Sequence, residues 1–285
     1  MIVHIMIMVA RIKVEKREGE EAMIDIHSHI LPKVDDGSKD LEESIEMAKI
    51  YLENGINKVI ATPHYIEGWD NTFKEKNLEI LEILKKALYQ RGLDLDIYLG
   101  NEIYTTMDIL EHLEEGKASS LNNTRYVLIE LPMFDIPLFI EDLIYELLLK
   151  GYVPIIAHPE RNAKIIENPN LLYTFIKKGA LAQLNLPSLE GKYGDRIKST
   201  GETLIKHNMI HFIGTDAHSK DKRSPRVKKS LNLLKLMVDK ETYNRITYLN
   251  GIKLLEDEEI IVDSPIEYKK EKNFFYLLKT KMNIF

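Results

Sequence analysis

The chain contains 285 residues, of which 44% are hydrophobic and 29% charged, and its formal net charge is -6. These proportions are ordinary for a globular protein, and the negative charge argues against a nucleic-acid-binding protein, which needs a basic surface. No apolar run in the sequence approaches the roughly 18 residues that span a bilayer. The lack of cysteine excludes disulfides, thiolate metal ligands and cysteine nucleophiles. We therefore predict a cytoplasmic protein.

The first 22 residues differ from the rest of the chain. An apolar stretch, MIVHIMIMVA, precedes a charged one, which is the reverse of the order in a signal peptide. The sequence Glu-Gly-Glu-Glu at residues 18–21, just before Met23, corresponds to purine-rich codons of the kind found in a ribosome-binding site. We expect residues 1–22 to be an N-terminal extension from a misassigned start. The alternative is a genuine additional strand or arm.

From Met23 onward, amphipathic helices that end at Gly or Asn alternate with short apolar runs. The helical pattern covers residues 40–54, 73–90, 138–150, 171–178 and 196–207. The apolar runs predict seven strands at residues 24–26, 58–61, 96–99, 126–130, 153–157, 181–184 and 210–213. Nearly continuous apolar strands that alternate with helices indicate a parallel sheet covered on both faces.

Histidines and carboxylates follow these strands at their carboxyl ends, and we take them as candidate metal ligands. They are His27, His29, Asp36, His64, Glu102, Glu130, His158, Asp216 and His218. In the His-x-His and Asp-x-His pairs, the spacing of two puts both side chains on one face of a strand. Because at least six strands contribute, their ends must converge, which favours a closed seven-stranded βα barrel over an open sheet.

Each candidate also has a simpler interpretation. Glu102 or Glu130 alone could be a strand end that emerges into water. The histidines away from the strand ends, at positions 4, 112, 207 and 211, are interpreted as structural or solvated.

The number of candidate ligands predicts more than one ion. Divalent metals take roughly four to six ligands each, so the nine candidates fit two or three ions. Three divalent ions carry +6 and the four candidate carboxylates -4, so the site attracts an anion, and a phosphate dianion fits best. Arg161 and Arg223 could bind the phosphate oxygens. Arg223 could equally be a solvated residue at the start of a helix.

The motifs H-x-H, T-P-H, A-H-P-E-R and D-A-H, in this order, resemble the PHP (polymerase and histidinol phosphatase) superfamily. More narrowly, DIHSHILPKVDDG, ATPHY, LGNEIY, LIELP, PIIAHPERN and IGTDAH resemble the bacterial PHP-type protein-tyrosine phosphatases of capsule and exopolysaccharide gene clusters. The resemblance runs from Met23 to about His218 and is weak beyond residue 225. Residues 1–22 have no counterpart.

The resemblance implies the PHP fold, a distorted seven-stranded TIM-like (βα)7 barrel, which we assign to residues 23–262. It also implies a trinuclear centre of manganese, with iron or zinc as alternatives. One ion would bind His27, His29, Glu102 and Asp216; a second would share Glu102 and bind Glu130 and His158; a third would bind Asp36, His64 and His218.

The implied activity is hydrolysis of protein phosphotyrosine by a metal-bound hydroxide. Arg161 and Arg223 would orient the phosphate, and His64 or a bound water would protonate the leaving phenolate. The implied partner is a tyrosine kinase of polysaccharide export. The alternatives are another PHP phosphoesterase, such as a histidinol-phosphate phosphatase, and a metal-binding scaffold that has lost catalysis.

The tail at residues 263–285 is basic and aromatic. From Tyr268 onward it carries five lysines and one glutamate among several aromatic residues. We expect a last helix that packs its aromatic side on the barrel. A helix that contacts a membrane surface or a partner protein is the alternative.

Overall fold

The computed structural model describes residues 23–69 and 71–269. The described residues form nine strands: β1 (Met23–Ser28), β2 (Ile56–Ala61), β3 (His64–Tyr65), β4 (Asp96–Leu99), β5 (Glu102–Tyr104), β6 (Tyr126–Glu130), β7 (Val153–Ala157), β8 (Leu181–Asn185) and β9 (Phe212–Gly214). A three-stranded sheet has the order β1-β2-β4, and a six-stranded sheet has the order β3-β5-β6-β7-β8-β9. All of the pairings are parallel.

Two of the predicted strands continue into a second piece. Thr62-Pro63 separates β2 from β3, and Gly100-Asn101 separates β4 from β5. The first piece of each lies in the three-stranded sheet and the second piece in the six-stranded sheet. The α/β class and the parallel pairing are therefore confirmed, whereas a single closed ring of seven strands is not.

The end of β1 contacts the segment that follows β9. The amide of Asp216 donates to the carbonyl of His27 at 2.9 Å, and the amide of His29 donates to the carbonyl of Ala217 at 2.9 Å. Ser28 and Ala217 form an isolated parallel bridge. The two sheets thus meet at the point where four of the candidate ligands leave their strands.

The helices among the described residues are α1 (Leu41–Glu53), α2 (Lys74–Gln90), α3 (Ile109–Glu114), α4 (Ile140–Leu149), α5 (Ala163–Glu167), α6 (Asn170–Lys177), α7 (Leu186–Leu189), α8 (Asp195–Lys206), α9 (Lys228–Lys235), α10 (Lys240–Asn244) and α11 (Asn250–Leu255). The five predicted helices are all present. The N-cap of α1 is Asp40, whose carboxylate accepts from the amide of Glu43 at 2.8 Å, as expected for a capping residue. The remaining helices are short.

The hydrophobic residues form two clusters. The larger one joins the helices to the outer faces of the strands. The smaller one contains residues from one face of the strands, among them Ile26, Leu128, Ile155, Leu181 and Phe212. Because alternate residues share a face, this inner face continues along β8 from Leu181 to Gln183 and Asn185. The inner apolar cluster therefore ends in polar side chains at the carboxyl edge.

The structure describes only the inner part of each chain terminus. Among the described residues, no helix is long and apolar enough to cross a membrane. Residues 1–22, His4 included, lie outside the described part, as do residues 270–285, where the last helix was predicted. The backbone of Tyr268 exchanges hydrogen bonds of 2.8 and 2.9 Å with the Asn170 side chain, so the described start of the tail docks on α6.

Candidate metal centre

His27, in β1, and His29, just after β1, lie side by side at the centre of the site. The pairing register of β1 with β2 shifts between Asp25 and Ser28. Such a bulge interrupts the alternation of side chains between the two faces of a strand. His27 Nδ1 lies 2.8 Å from Gln183 Oε1, and His29 Nδ1 lies 2.6 Å from Asp35 Oδ2. Each ring is therefore oriented through Nδ1. Both Nε2 atoms, 3.3 Å apart, remain available to ligate a metal.

Two buried carboxylates face this pair. Glu102 Oε2 lies 3.2 Å from Nε2 of His27 and 3.3 Å from Nε2 of His29. Asp216 Oδ1 lies 3.6 Å and 3.4 Å from the same two nitrogens. The four ligand atoms lie within 4.8 Å of one another. Neither of these oxygens accepts a hydrogen bond among the described residues.

Asp36, His64 and His218 extend the cluster toward solvent. Asp36 Oδ1 lies 3.5 Å from His64 Nε2 and 3.3 Å from His218 Nε2. Together with His29 they form a second group of ligand atoms within 4.8 Å. His64 Nδ1 and His218 Nε2 are both buried without a hydrogen-bond partner in the described chain.

Glu130 and His158 complete the cluster on its other side. His158 Nε2 lies 2.8 Å from Glu102 Oε1 and 3.7 Å from Glu130 Oε1. His64 Nδ1 is 3.1 Å from Glu102 Oε2 and 3.9 Å from Glu130 Oε2. All nine predicted ligands are thus brought together, and Glu102 is in contact with three histidines besides His158.

The charges in the cluster suit bound cations. Burial and the neighbouring Glu102 carboxylate raise the pKa of Glu130 to about 8. Burial opposes ionisation of Glu102 too, but His27 and the hydrogen bond from His158 hold its pKa well below its usual range. Buried acceptors without donors are costly unless a cation compensates them. Imidazole nitrogens and carboxylate oxygens together are the donor set of first-row divalent metals, so these residues fit a metal centre.

The two predicted arginines meet on the outer oxygen of Asp216. Asp216 Oδ2 accepts from Arg161 Nη1 at 2.8 Å, from Arg223 Nη2 at 2.6 Å and from Asn185 Nδ2 at 2.7 Å. The guanidinium of Arg161 also lies over the ring of Tyr193, 5.1 Å from its centroid. Arg223 Nε is buried and makes no hydrogen bond among the described residues. The pair offers a cationic wall with a free donor beside the ligand cluster.

The backbone is strained at two of the ligand positions and crowded at two glycines. His158 and Asp216 have φ values of 30° and 52°, a region that non-glycine residues rarely adopt and that is frequent at functional sites. A Cβ on Gly37 would lie 2.3 Å from the carbonyl oxygen of His29, and a Cβ on Gly214 would lie 2.9 Å from His27 Cβ. Only glycine lets the loop at Gly37 and the end of β9 at Gly214 approach the histidine pair this closely.

Sequence reasoning missed the residues that support the ligands. Asp35 accepts from His29, Gln183 contacts His27, and Asn185 donates to Asp216. Asp25, fully buried, accepts from the hydroxyl of Tyr51 at 2.7 Å and from the amide of Thr215 at 2.9 Å. The polar Gln183 and Asn185 at a spacing of two within an apolar strand were the available signal. Nothing comparable distinguishes Tyr193.

The remaining described histidines lie outside the site. His112 and His211 are buried, and His207 contacts the carbonyl of Thr203 through Nδ1 at 2.7 Å. His211 Nδ1 accepts from the amide of Ala182 at 3.1 Å, and burial lowers the pKa of His211 to about 3. Among the described residues, none of these three histidines belongs to a group that could hold a metal ion.

Comparison with known proteins places the chain in a family. A family model described as capsular polysaccharide synthesis, CpsB/CapC, matches residues 23–256. The tyrosine-protein phosphatase YwqE of Bacillus subtilis is 39% identical over 88% of this chain and 99% of its own length. The putative tyrosine-protein phosphatase CapC of Staphylococcus aureus is 39% identical over 90% of this chain and 100% of its own.

A solved structure agrees with these relatives. It belongs to a study of YwqE from B. subtilis and CpsB from Streptococcus pneumoniae, described there as unique metal-dependent tyrosine phosphatases. The TM-score is 0.84 at 38% identity, over 87% of this chain and 100% of the solved chain. The resemblance drawn from the motifs is confirmed: the chain belongs to the capsular polysaccharide synthesis CpsB/CapC family.

Proposed function

We propose that the chain is a metal-dependent phosphatase of protein phosphotyrosine. The observation that carries the proposal is the convergence of nine ligand side chains, eight in groups that could hold a metal ion and His158 in contact with Glu102 and Glu130. Four buried atoms among them lack hydrogen-bond partners in the described chain, and two arginines lie beside them on one carboxylate. The names of the relatives, which are tyrosine-protein phosphatases, support the choice of substrate.

The proposed ions number two or three, with manganese first and iron or zinc as alternatives. His27, His29, Glu102 and Asp216 would hold one ion, and their mutual distances support this group. Glu102, Glu130 and His158 would hold a second. Asp36, His64 and His218 would hold a third, although His29 and His64 also lie close enough to contribute to two groups each.

The metal ligands and the two arginines would have different roles in hydrolysis. Bound divalent ions would lower the pKa of water and neutralise charge on phosphoryl oxygens. Arg161 and Arg223 would hold the phosphate through their planar guanidinium groups. The phenol group of tyrosine has a pKa of about 10, so the phenolate leaves with only modest help from a proton donor. Because His64 would ligate the third ion, a water bound in the site would deliver that proton.

We further propose that the two sheets are parts of one distorted seven-stranded barrel spanning residues 23–262. The hydrogen bonds between the end of β1 and the segment after β9 support this closure, and so does the inner cluster to which β1, β2, β6, β7, β8 and β9 all contribute. The proposed domain begins at Met23, and the assignment of residues 1–22 as an N-terminal extension stays a proposal.

The proposed partner is a tyrosine kinase of polysaccharide export, because the family description links these proteins to capsular polysaccharide synthesis. A kinase that consumes ATP acts in the cytoplasm, so we propose the same compartment for this chain. Contact of the basic tail with a membrane surface is the alternative to packing of the tail on the barrel, and nucleic acid is not among the proposed partners.

A substrate comparison tests the proposal. The purified protein with manganese should release phosphate from a phosphotyrosine peptide much faster than from histidinol phosphate, and a chelator should abolish both activities. The variant His27→Ala should be inactive, and the matched variant His207→Ala should retain wild-type activity. Faster turnover of histidinol phosphate would refute the phosphotyrosine proposal.

A further inference from the structure

The loop 131–139, which follows β6, exposes large apolar side chains at the edge of the site. Its sequence is LPMFDIPLF, with Asp135 as the one charged residue. Phe134 is 80% exposed and Leu138 is fully exposed. The loop starts directly after the candidate ligand Glu130, so these side chains lie within a few residues of the site.

The loop is fastened to the segment that carries Arg161. The side chain of Asn162 donates to the carbonyl oxygens of Pro132 and Asp135 at 2.8 and 2.9 Å. The amide of Ala163 donates to the carbonyl of Met133 at 2.9 Å. On its inner side, Ile136 and Phe139 of the loop pack against the larger hydrophobic cluster. The backbone of the loop is therefore fixed by these contacts, while the side chains of Phe134 and Leu138 remain exposed to solvent.

Two neighbouring loops add to this surface. Trp69 follows β3 and is 72% exposed, and Met107 follows β5 and is 59% exposed. A 2.7 Å hydrogen bond between Thr106 and Glu67 joins the two loops. Strands β3, β5 and β6 are adjacent, so their loops line one side of the carboxyl edge. Arg161 follows the next strand, β7, and Arg223 follows β9 at the end of the same sheet.

We propose that Trp69, Met107, Phe134 and Leu138, here called the apolar rim, bind the tyrosine ring and the flanking apolar residues of the substrate. This inference rests on the proposed function. An aryl phosphate carries charge at one end and apolar surface at the other, which matches arginines beside the ligand cluster and exposed apolar side chains on the adjoining loops. Exposed apolar patches without a structural role mark interaction sites. The rim selects an aromatic phosphoester within a polypeptide.

The test compares Phe134→Ser and Leu138→Ser with Leu149→Ser. Leu149 is 67% exposed at the far end of α4, the helix that follows the loop. With a phosphotyrosine peptide that has apolar flanking residues, each rim variant should raise KM about 5- to 20-fold by removing apolar contact, and Leu149→Ser should leave it unchanged. The inhibition constant of inorganic phosphate, which has no ring, should be the same in all four proteins.

Three results would overturn the inference. The first is an unchanged KM in both rim variants. The second is a parallel loss of phosphate binding, which would indicate a damaged metal site. The third is an unchanged KM with a lowered association state by sedimentation, which would make the rim a contact between copies of the chain. If the wild-type protein does not hydrolyse phosphotyrosine, the proposed function itself fails, and this outcome is distinct from the other three.

Discussion

Replacing Arg161 by alanine removes one of the two guanidinium groups that contact Asp216 and leaves the nine candidate ligands in place. The Arg161 side chain is 17% exposed and donates to Asp216 Oδ2. That oxygen keeps its hydrogen bonds from Arg223 and Asn185, so the carboxylate remains oriented and metal content should not change. Loss of one preorganised donor to a charged transition state lowers the rate by about 10²–10³, or roughly 2.7–4 kcal/mol. We expect kcat/KM to fall by that factor.

The assay is steady-state hydrolysis of a phosphotyrosine peptide, with metal content measured on the same preparations. Arg161→Lys should recover little activity, because an ammonium cannot replace the planar guanidinium. The matched control is Arg226→Ala, which removes an exposed arginine from the loop that holds Arg223, and it should retain near-normal kcat/KM. If Arg161→Ala lost metal but kept its kcat per bound ion, Arg161 would support Asp216 and would not bind phosphate.

Three further predictions follow from single contacts. Tyr193→Leu should weaken inhibition by vanadate about 2- to 5-fold, the value of a partly buried cation–π contact, and Tyr193→Phe, which keeps the ring, should not. Gly214→Ala should weaken metal binding at least about tenfold, because the new Cβ would lie 2.8 Å from Gln183 Nε2 and 2.9 Å from His27 Cβ; an unchanged metal affinity would contradict this. The pKa of His211 is about 3 in the folded protein and about 6.5 when unfolded, so the unfolded chain binds the extra proton and stability falls as pH decreases below 6.5. Between pH 7.5 and 5.5 the loss from this group is roughly 1 kcal/mol, and denaturant titrations of His211→Gln should lack this part of the pH dependence.

Much of the site could be predicted because its ligands share one structural position. His27 and Glu130 lie near the carboxyl ends of β1 and β6, whereas His64 and Glu102 begin the second strand pieces β3 and β5, just beyond the ends of β2 and β4. Parallel strands bring those ends to one edge. The alternation of helices and apolar runs therefore predicts that these ligands lie together at one edge of the sheet. The resemblance to a family added the assignment of ligands to individual ions, which spacing alone could not supply.

The parts that escaped prediction depend on tertiary contacts. Pro63 and the Gly100-Asn101 pair divide two strands between two sheets, and a hydrophobic pattern does not record such a division. The contact of Tyr193 with Arg161 joins residues on separate loops, as does that of Asp35 with the amide of His64 at 3.0 Å. Side chains that orient ligands have no fixed spacing, so the sequence does not mark them.

The phosphatase activity of metal-free protein, titrated with manganese, tests the central claim most directly. We expect no hydrolysis of a phosphotyrosine peptide without metal, and recovery that saturates at two to three ions per chain. In Glu102→Gln, which alters the carboxylate in contact with most of the histidines, saturation should require far more manganese. Full activity of the metal-free protein in the presence of a chelator would contradict the account.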